Sequence, residues 1–297
     1  MLCLLSLPNP AMMALVGTLL FNPMTTTTMK YEFGNGPVQI DSPMIFQGLT
    51  LVDPEFIGVG GGGAVYSYKN TNRIIDEKNM AAKNYEKSKA KEQKIVVKIS
   101  WKRSADSVRN ECDVLRVMEQ RQVTGVERCL GIEEYRYDSN RVVVGMVPFV
   151  EDQQEGGGIT ASIGELSPDI ALKTVTYLMK TMVQMLVAGV VTNDVQPLIS
   201  KSTGEIVLID MTEATVLYRD DNIEKGSYNS YSDNDKILIN AFCTEVIGLI
   251  PDNLLEKASE SFLTELHRIE TETNIQINNE IKQIIRDLPI TGVENLL

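Results

Sequence analysis

The chain has 297 residues, with 28 Lys and Arg against 40 Asp and Glu and a formal charge of −12. That length admits one large or two small domains with ample core, and the acidic balance argues against general nucleic-acid or anionic-membrane binding. Four cysteines (Cys3, Cys112, Cys129, Cys243) show no paired spacing, which disfavours a disulfide framework or a cysteine zinc site, and the single histidine, His267, reads as a surface residue.

Residues 1–29 carry no charged side chain, and the apolar run over 1–21 is broken by Pro8 and Pro10. It is too interrupted for a membrane span. It also lacks the basic start of a secretory signal and the arginines of a transit peptide. Residues 1–43 therefore read as a disordered or targeting leader. The protein is taken as intracellular, with organelle import through the leader as the alternative, and no integral membrane span is expected.

Residues 45–68 read as two strands around a glycine turn, Gly58-x-Gly60-x-x-Gly63. Such a turn cradles phosphates in two schemes: it opens a helix in a dinucleotide fold, or it leads into a strand that covers a nucleotide. Here Ala-Val-Tyr-Ser-Tyr follows, which is β-branched and aromatic and so predicts a strand. Val65 suits an apolar lid over a base. A flexible glycine linker is the plainer alternative. Residues 69–94 hold eight basic and four acidic side chains, the pattern of a solvated insertion between strands.

A strand is predicted over 95–100. Its alternation sets Ile95, Val97 and Ile99 on one face and Lys98 on the other. A lysine there needs a partner, a ligand or an edge position open to solvent. Helical spacing over 105–120 places Val108, Glu111, Leu115 and Met118 on one side. Lys98 is the nearest cation for that glutamate. Two more strands are predicted over 131–137 and 141–150. Residues 151–166, with Gly156, Gly157 and Gly158, read as a hinge between a strand-rich lobe and a helical half spanning 167–297.

In that second half, Ser167-Pro168-Asp169 suits a helix start, and Leu172, Val175, Met179, Met182 and Leu186 keep the helical period. Asp194 lies in a loop, and Asp210 follows the apolar strand over 206–209. Such a pair suits a base and a metal ligand, or turn caps. A further helix over 236–250 stops at Pro251, and polar-faced helices follow to about residue 288.

These pieces, in this order over residues 56–249, resemble the protein-kinase-like superfamily. The resemblance implies an α+β bilobal fold: an antiparallel-sheet N-lobe with one helix over 44–150, and a mainly helical, shortened C-lobe over 167–297. Gly58, Gly60, Gly63 and Val65 resemble the glycine-rich loop, Lys98 the lysine that holds the α- and β-phosphates, and Glu111 its helix partner. Val147 and Phe149 resemble the hinge that meets adenine through its backbone. Asp194 resembles the catalytic-loop base, and Asp210 the magnesium-holding aspartate. The cofactors so implied are ATP and Mg²⁺, with a nucleotide and a protein substrate or partner. The chain departs from the pattern at Thr192 and Asn193 (for His and Arg), Gln196 (for Lys) and Met211-Thr212 (for Phe-Gly), and the metal-binding Asn is missing: either Ile199 takes its place or two residues there are deleted. The expected function is a divergent, Ser/Thr-type phosphotransferase. A nucleotide-binding pseudokinase scaffold stands close behind it, and an unrelated two-part interaction protein stands third.

Overall fold

β-branched and aromatic residues crowd the segments before and after the glycine turn, and these become the central strands of one sheet. The computed structural model describes residues 28–29, 38–71, 93–148, 158–217 and 233–273. The chain divides into two units, residues 1–41 and 42–297. In the first, two-residue strands β1 (Thr28–Met29) and β2 (Val38–Gln39) pair antiparallel. Most of the predicted leader, most of the charged insertion, and the start of the 151–166 linker lie outside the described residues.

The second unit is α+β and begins with a six-stranded antiparallel sheet. Its strands are β3 (Met44–Phe46), β4 (Leu49–Val59), β5 (Gly63–Asn70), β6 (Gln93–Ser100), β7 (Cys129–Glu134) and β8 (Val142–Met146), in the order β3-β4-β5-β6-β8-β7. The ladder of β4 is interrupted between Val52 and Glu55. Pro54, which has no amide hydrogen to give a ladder, sits in that irregularity. The two outer strands approach each other: at the β3–β4 turn, Gln47 donates its backbone N–H to Glu133 Oε1 (2.7 Å) and its side-chain amide to the Ile132 carbonyl (3.2 Å) on β7. The sheet is therefore curled almost into a barrel.

Helix α1 (Ala105–Gln120) covers one face of this sheet. Its stripe of Val108, Cys112 and Ala105 packs on Val142, Val144 and Met146 of β8, with Val96 of β6 beside them. Val96 and Lys98 share a strand face, so the register that seats α1 also turns Lys98 toward it. The predicted side of α1 is buried throughout, Glu111 included. The structure overturns the expectation about cysteines: Cys112 of α1 and Cys129 of β7 form a disulfide. Their sequence separation of 17 carries no motif; packing the helix against the strand brings them together.

The remainder combines three long helices with short strands. Helix α2 (Pro168–Val187) opens with proline at its first turn and buries Val175, Met179, Met182 and Leu186, while Leu172 stays partly exposed near its start. Within the predicted linker, β9 (Ile159–Thr160) joins a three-stranded sheet with β11 (Gln196–Ser200) and β12 (Ile206–Ile209). Strands β10 (Val190–Val191) and β13 (Thr215–Val216) form a separate antiparallel pair. Helices α3 (Asp233–Gly248) and α4 (Leu255–Thr273) complete the core, with Phe242, Val246, Phe262 and Leu266 buried in one cluster with α2. His267 is exposed on α4, as expected. Among the described residues, no single helix is long and apolar enough to cross a membrane.

Candidate functional site

Cross-strand register places the first residues of the site. Val65 on β5 pairs with Lys98 on β6, which pairs in turn with Val144 on β8. Directly paired residues point to the same face, so Lys98 stands between two apolar neighbours under α1. Its side chain is 5% exposed, and Nζ reaches both carboxylate oxygens of Glu111, at 3.1 and 2.9 Å. It also donates to Asp210 Oδ1 at 2.7 Å. The solvent-reaching edge lysine, one reading of the sequence, is not what the fold builds. Helix and strand bring Lys98 and Glu111 together across 13 residues, and β12 delivers Asp210 to the same ammonium.

The glycine turn lies directly over this cluster. A Cβ placed on Gly62 would fall 3.0 Å from Lys98 Cε and 3.4 Å from Thr212 Cγ2. On Gly63 it would fall 2.2 Å from the Ile99 carbonyl oxygen, which only a glycine at this close strand approach avoids. Two side chains pin the turn down. Trp101, the chain's one tryptophan, donates Nε1–H to the Gly60 carbonyl at 2.9 Å. Ser104 donates its hydroxyl to the Gly62 carbonyl. Gly58 lies within β4 opposite Val65, and Gly60 faces Asp210 Oδ2.

Asp210 follows β12 directly and lies in the left-handed region, at φ 58° and ψ 60°. Its Oδ1 also accepts the Thr212 hydroxyl at 2.8 Å. Asp194 sits in the loop between β10 and β11. The pairing of Gln196 with Ile209 puts Asp194 and Asp210 just beyond the same end of the β11–β12 ladder. Asp194 Oδ2 accepts the Gln196 side-chain amide at 2.7 Å, and its backbone N–H is capped by the Thr192 hydroxyl. Val147 follows β8, gives its N–H to the Arg128 carbonyl and is partly exposed. Phe149 lies outside the described residues.

Sequence reasoning missed one member of the cluster. Glu127, almost fully buried, accepts the Asp210 backbone N–H on Oε1 at 2.7 Å. Burial pushes its carboxyl up to about 8, with the Glu111 charge adding to the effect. Burial also raises Glu111, against the pull of Lys98. Burial opposes the Lys98 charge, but Glu111 and Asp210 outweigh it and hold the ammonium above its ordinary value. For Asp210, burial is likewise overcome, here by Lys98 and the hydrogen bonds it receives, so its carboxyl stays below the ordinary range. One buried ammonium thus faces the carboxyl groups of Glu111 and Asp210, with the Glu127 carboxyl close by and holding its proton more tightly than usual. The disulfide joins sequence neighbours of this group: Cys112 follows Glu111, and Cys129 follows Glu127 by two residues.

A charged lysine and an ionised aspartate beneath a glycine turn can hold an anion and a cation close together, provided the turn lifts. The sequence matches no protein-family model, and no curated protein matches it.

Proposed function

We propose that this protein is a divergent, bilobal protein-kinase-like phosphotransferase that uses ATP and magnesium, most simply on a serine or threonine hydroxyl of a protein. The observation that carries this reading is Lys98 Nζ bonded at once to Glu111 and Asp210 beneath the glycine turn. Phosphoryl transfer depends on positioning and charge neutralisation far more than on covalent chemistry. In this reading Lys98 holds the α- and β-phosphates, and Glu111 keeps it aimed. The amides of residues 58–63 close over the phosphates, and Val65 covers the base. Val147 and Phe149 meet adenine through the backbone. Asp194 accepts the proton of the incoming hydroxyl.

Among the described residues, no group of three or more His, Cys, Asp or Glu side chains could hold a metal by itself. Magnesium does not need one, because it is commonly held by one or two carboxylates together with substrate phosphates. Asp210 fits that pattern, since its Oδ2 faces the glycine turn. Bound there, magnesium would neutralise charge on the transferring phosphoryl group.

A second reading, a nucleotide-binding pseudokinase, is favoured by one specific observation. Gln196, where the superfamily places a lysine, spends its amide on Asp194 Oδ2, the oxygen a base would offer to substrate. Transfer of labelled γ-phosphate to a peptide library or to the protein itself separates the two. Wild-type transfer abolished by Asp194→Asn supports the first. Nucleotide binding without transfer from the wild type supports the second.

A further inference from the structure

The segment between α1 and β7 runs beside β12 as a short parallel pair. Val126 bridges Leu208. Leu208 donates its N–H to the Gly125 carbonyl, and Glu127 donates its own to the Leu208 carbonyl. In an evenly spaced parallel ladder, the next bond would run from the Asp210 N–H to the Glu127 backbone carbonyl. It does not form. The chain turns left-handed at Asp210, and the Glu127 side chain takes the amide instead. A non-glycine residue in that region is uncommon and persists where its surroundings over-determine it.

We infer that Glu127 is a positioning residue: its side-chain oxygen stands in for the missing ladder acceptor and fixes the left-handed backbone that aims the Asp210 carboxylate at Lys98 and the glycine turn. The inference rests on the proposed nucleotide and magnesium site, with Asp210 as its metal-facing group. What matters is the acceptor oxygen. Glu127→Gln keeps such an oxygen, whereas Glu127→Leu fills the space without one and strands the Asp210 amide.

The test compares wild type and the two variants in two measurements on the full chain. The first is ATP affinity, taken with magnesium and again in EDTA. Glu127→Leu is expected to lose about tenfold of the gain that magnesium gives, while its EDTA affinity, which depends on Lys98 and the turn, holds. Glu127→Gln keeps both. A merely structural role would lower both affinities together, and that result overturns the inference. So does a Gln variant as impaired as the Leu variant, which would make the charge the working feature. The second measurement is hydrogen exchange at the Asp210 amide, which needs no nucleotide. Protection is expected in the wild type and in Glu127→Gln and lost in Glu127→Leu; unchanged protection in the Leu variant overturns the inference. If the wild type binds no ATP, the functional proposal fails, and exchange alone still decides the role of Glu127.

Discussion

Lys98→Met is the perturbation whose consequences the structure specifies most fully. The methionine matches the lysine stem, so the strand loses little packing. Glu111, however, is fully buried and loses the ammonium bonded to both its carboxylate oxygens, and Asp210 loses a 2.7 Å bond. Breaking a buried pair from one side typically costs about 3–5 kcal/mol. In a domain of this size each kcal/mol moves the melting temperature by about 2–4 °C, so a drop of roughly 6–20 °C is expected. The drop should shrink at low pH, where Glu111 takes up a proton more readily. Lys98→Met combined with Glu111→Leu should regain much of the loss, because the fully buried Glu111 charge is gone and only the partly exposed Asp210 carboxylate is left without the lysine. Differential scanning calorimetry of the two single variants and the double variant completes the cycle. Additive losses in the double variant would refute the buried pair as the organising contact between α1 and β6. In the proposed function, neither Lys98 variant binds ATP.

Three other outcomes follow from the same geometry. Reducing the Cys112–Cys129 bridge, or replacing both cysteines with serine, should lower stability by about 3 kcal/mol for a loop of 17 residues; a melting temperature indifferent to reductant would contradict the bridge. Stability should fall as pH rises from about 4.5 to about 8 and level off above. Glu127, with its carboxyl near 8 in the fold, holds a proton that the unfolded chain releases near 4.5; Glu127→Gln should flatten that slope, and a wild-type stability that rises across this window would refute the assignment. Trp101→Phe removes the donor that pins Gly60, so nucleotide that must lift the turn should bind about 2–10-fold tighter by thermal-shift titration. Unchanged or weaker binding would mean that the turn opens without breaking this bond.

Much of this arrangement was legible in the residues because it rests on periodicity. The side of α1 that carries Val108, Leu115 and Met118 also carries Glu111, and all four are buried together. Alternation along β6 set Lys98 apart from Ile95, Val97 and Ile99, and the sheet order then turned it toward α1. Glu127 was not legible. It sits outside helix and strand, and only the bridge between Val126 and Leu208 brings it to Asp210. The disulfide was hidden for the same reason, since its cysteines meet through packing of α1 on β7. Strand β9 reads as linker from the sequence because it is two residues long after three glycines, and its hydrogen-bond partner, β11, lies some forty residues on. Local signals therefore found the groups that local structure positions, and missed those that depend on tertiary contact alone.

The central claim is a nucleotide site built on Lys98 and Asp210. It is tested most directly by thermal-shift titration of the purified chain with ATP and with ADP, each with magnesium and with EDTA. A ligand at about 100 times its dissociation constant stabilises by about 2.7 kcal/mol, a shift of several degrees. The account predicts a shift with ATP that grows with magnesium and loses that growth in Asp210→Asn. No shift with either nucleotide under any condition would contradict it.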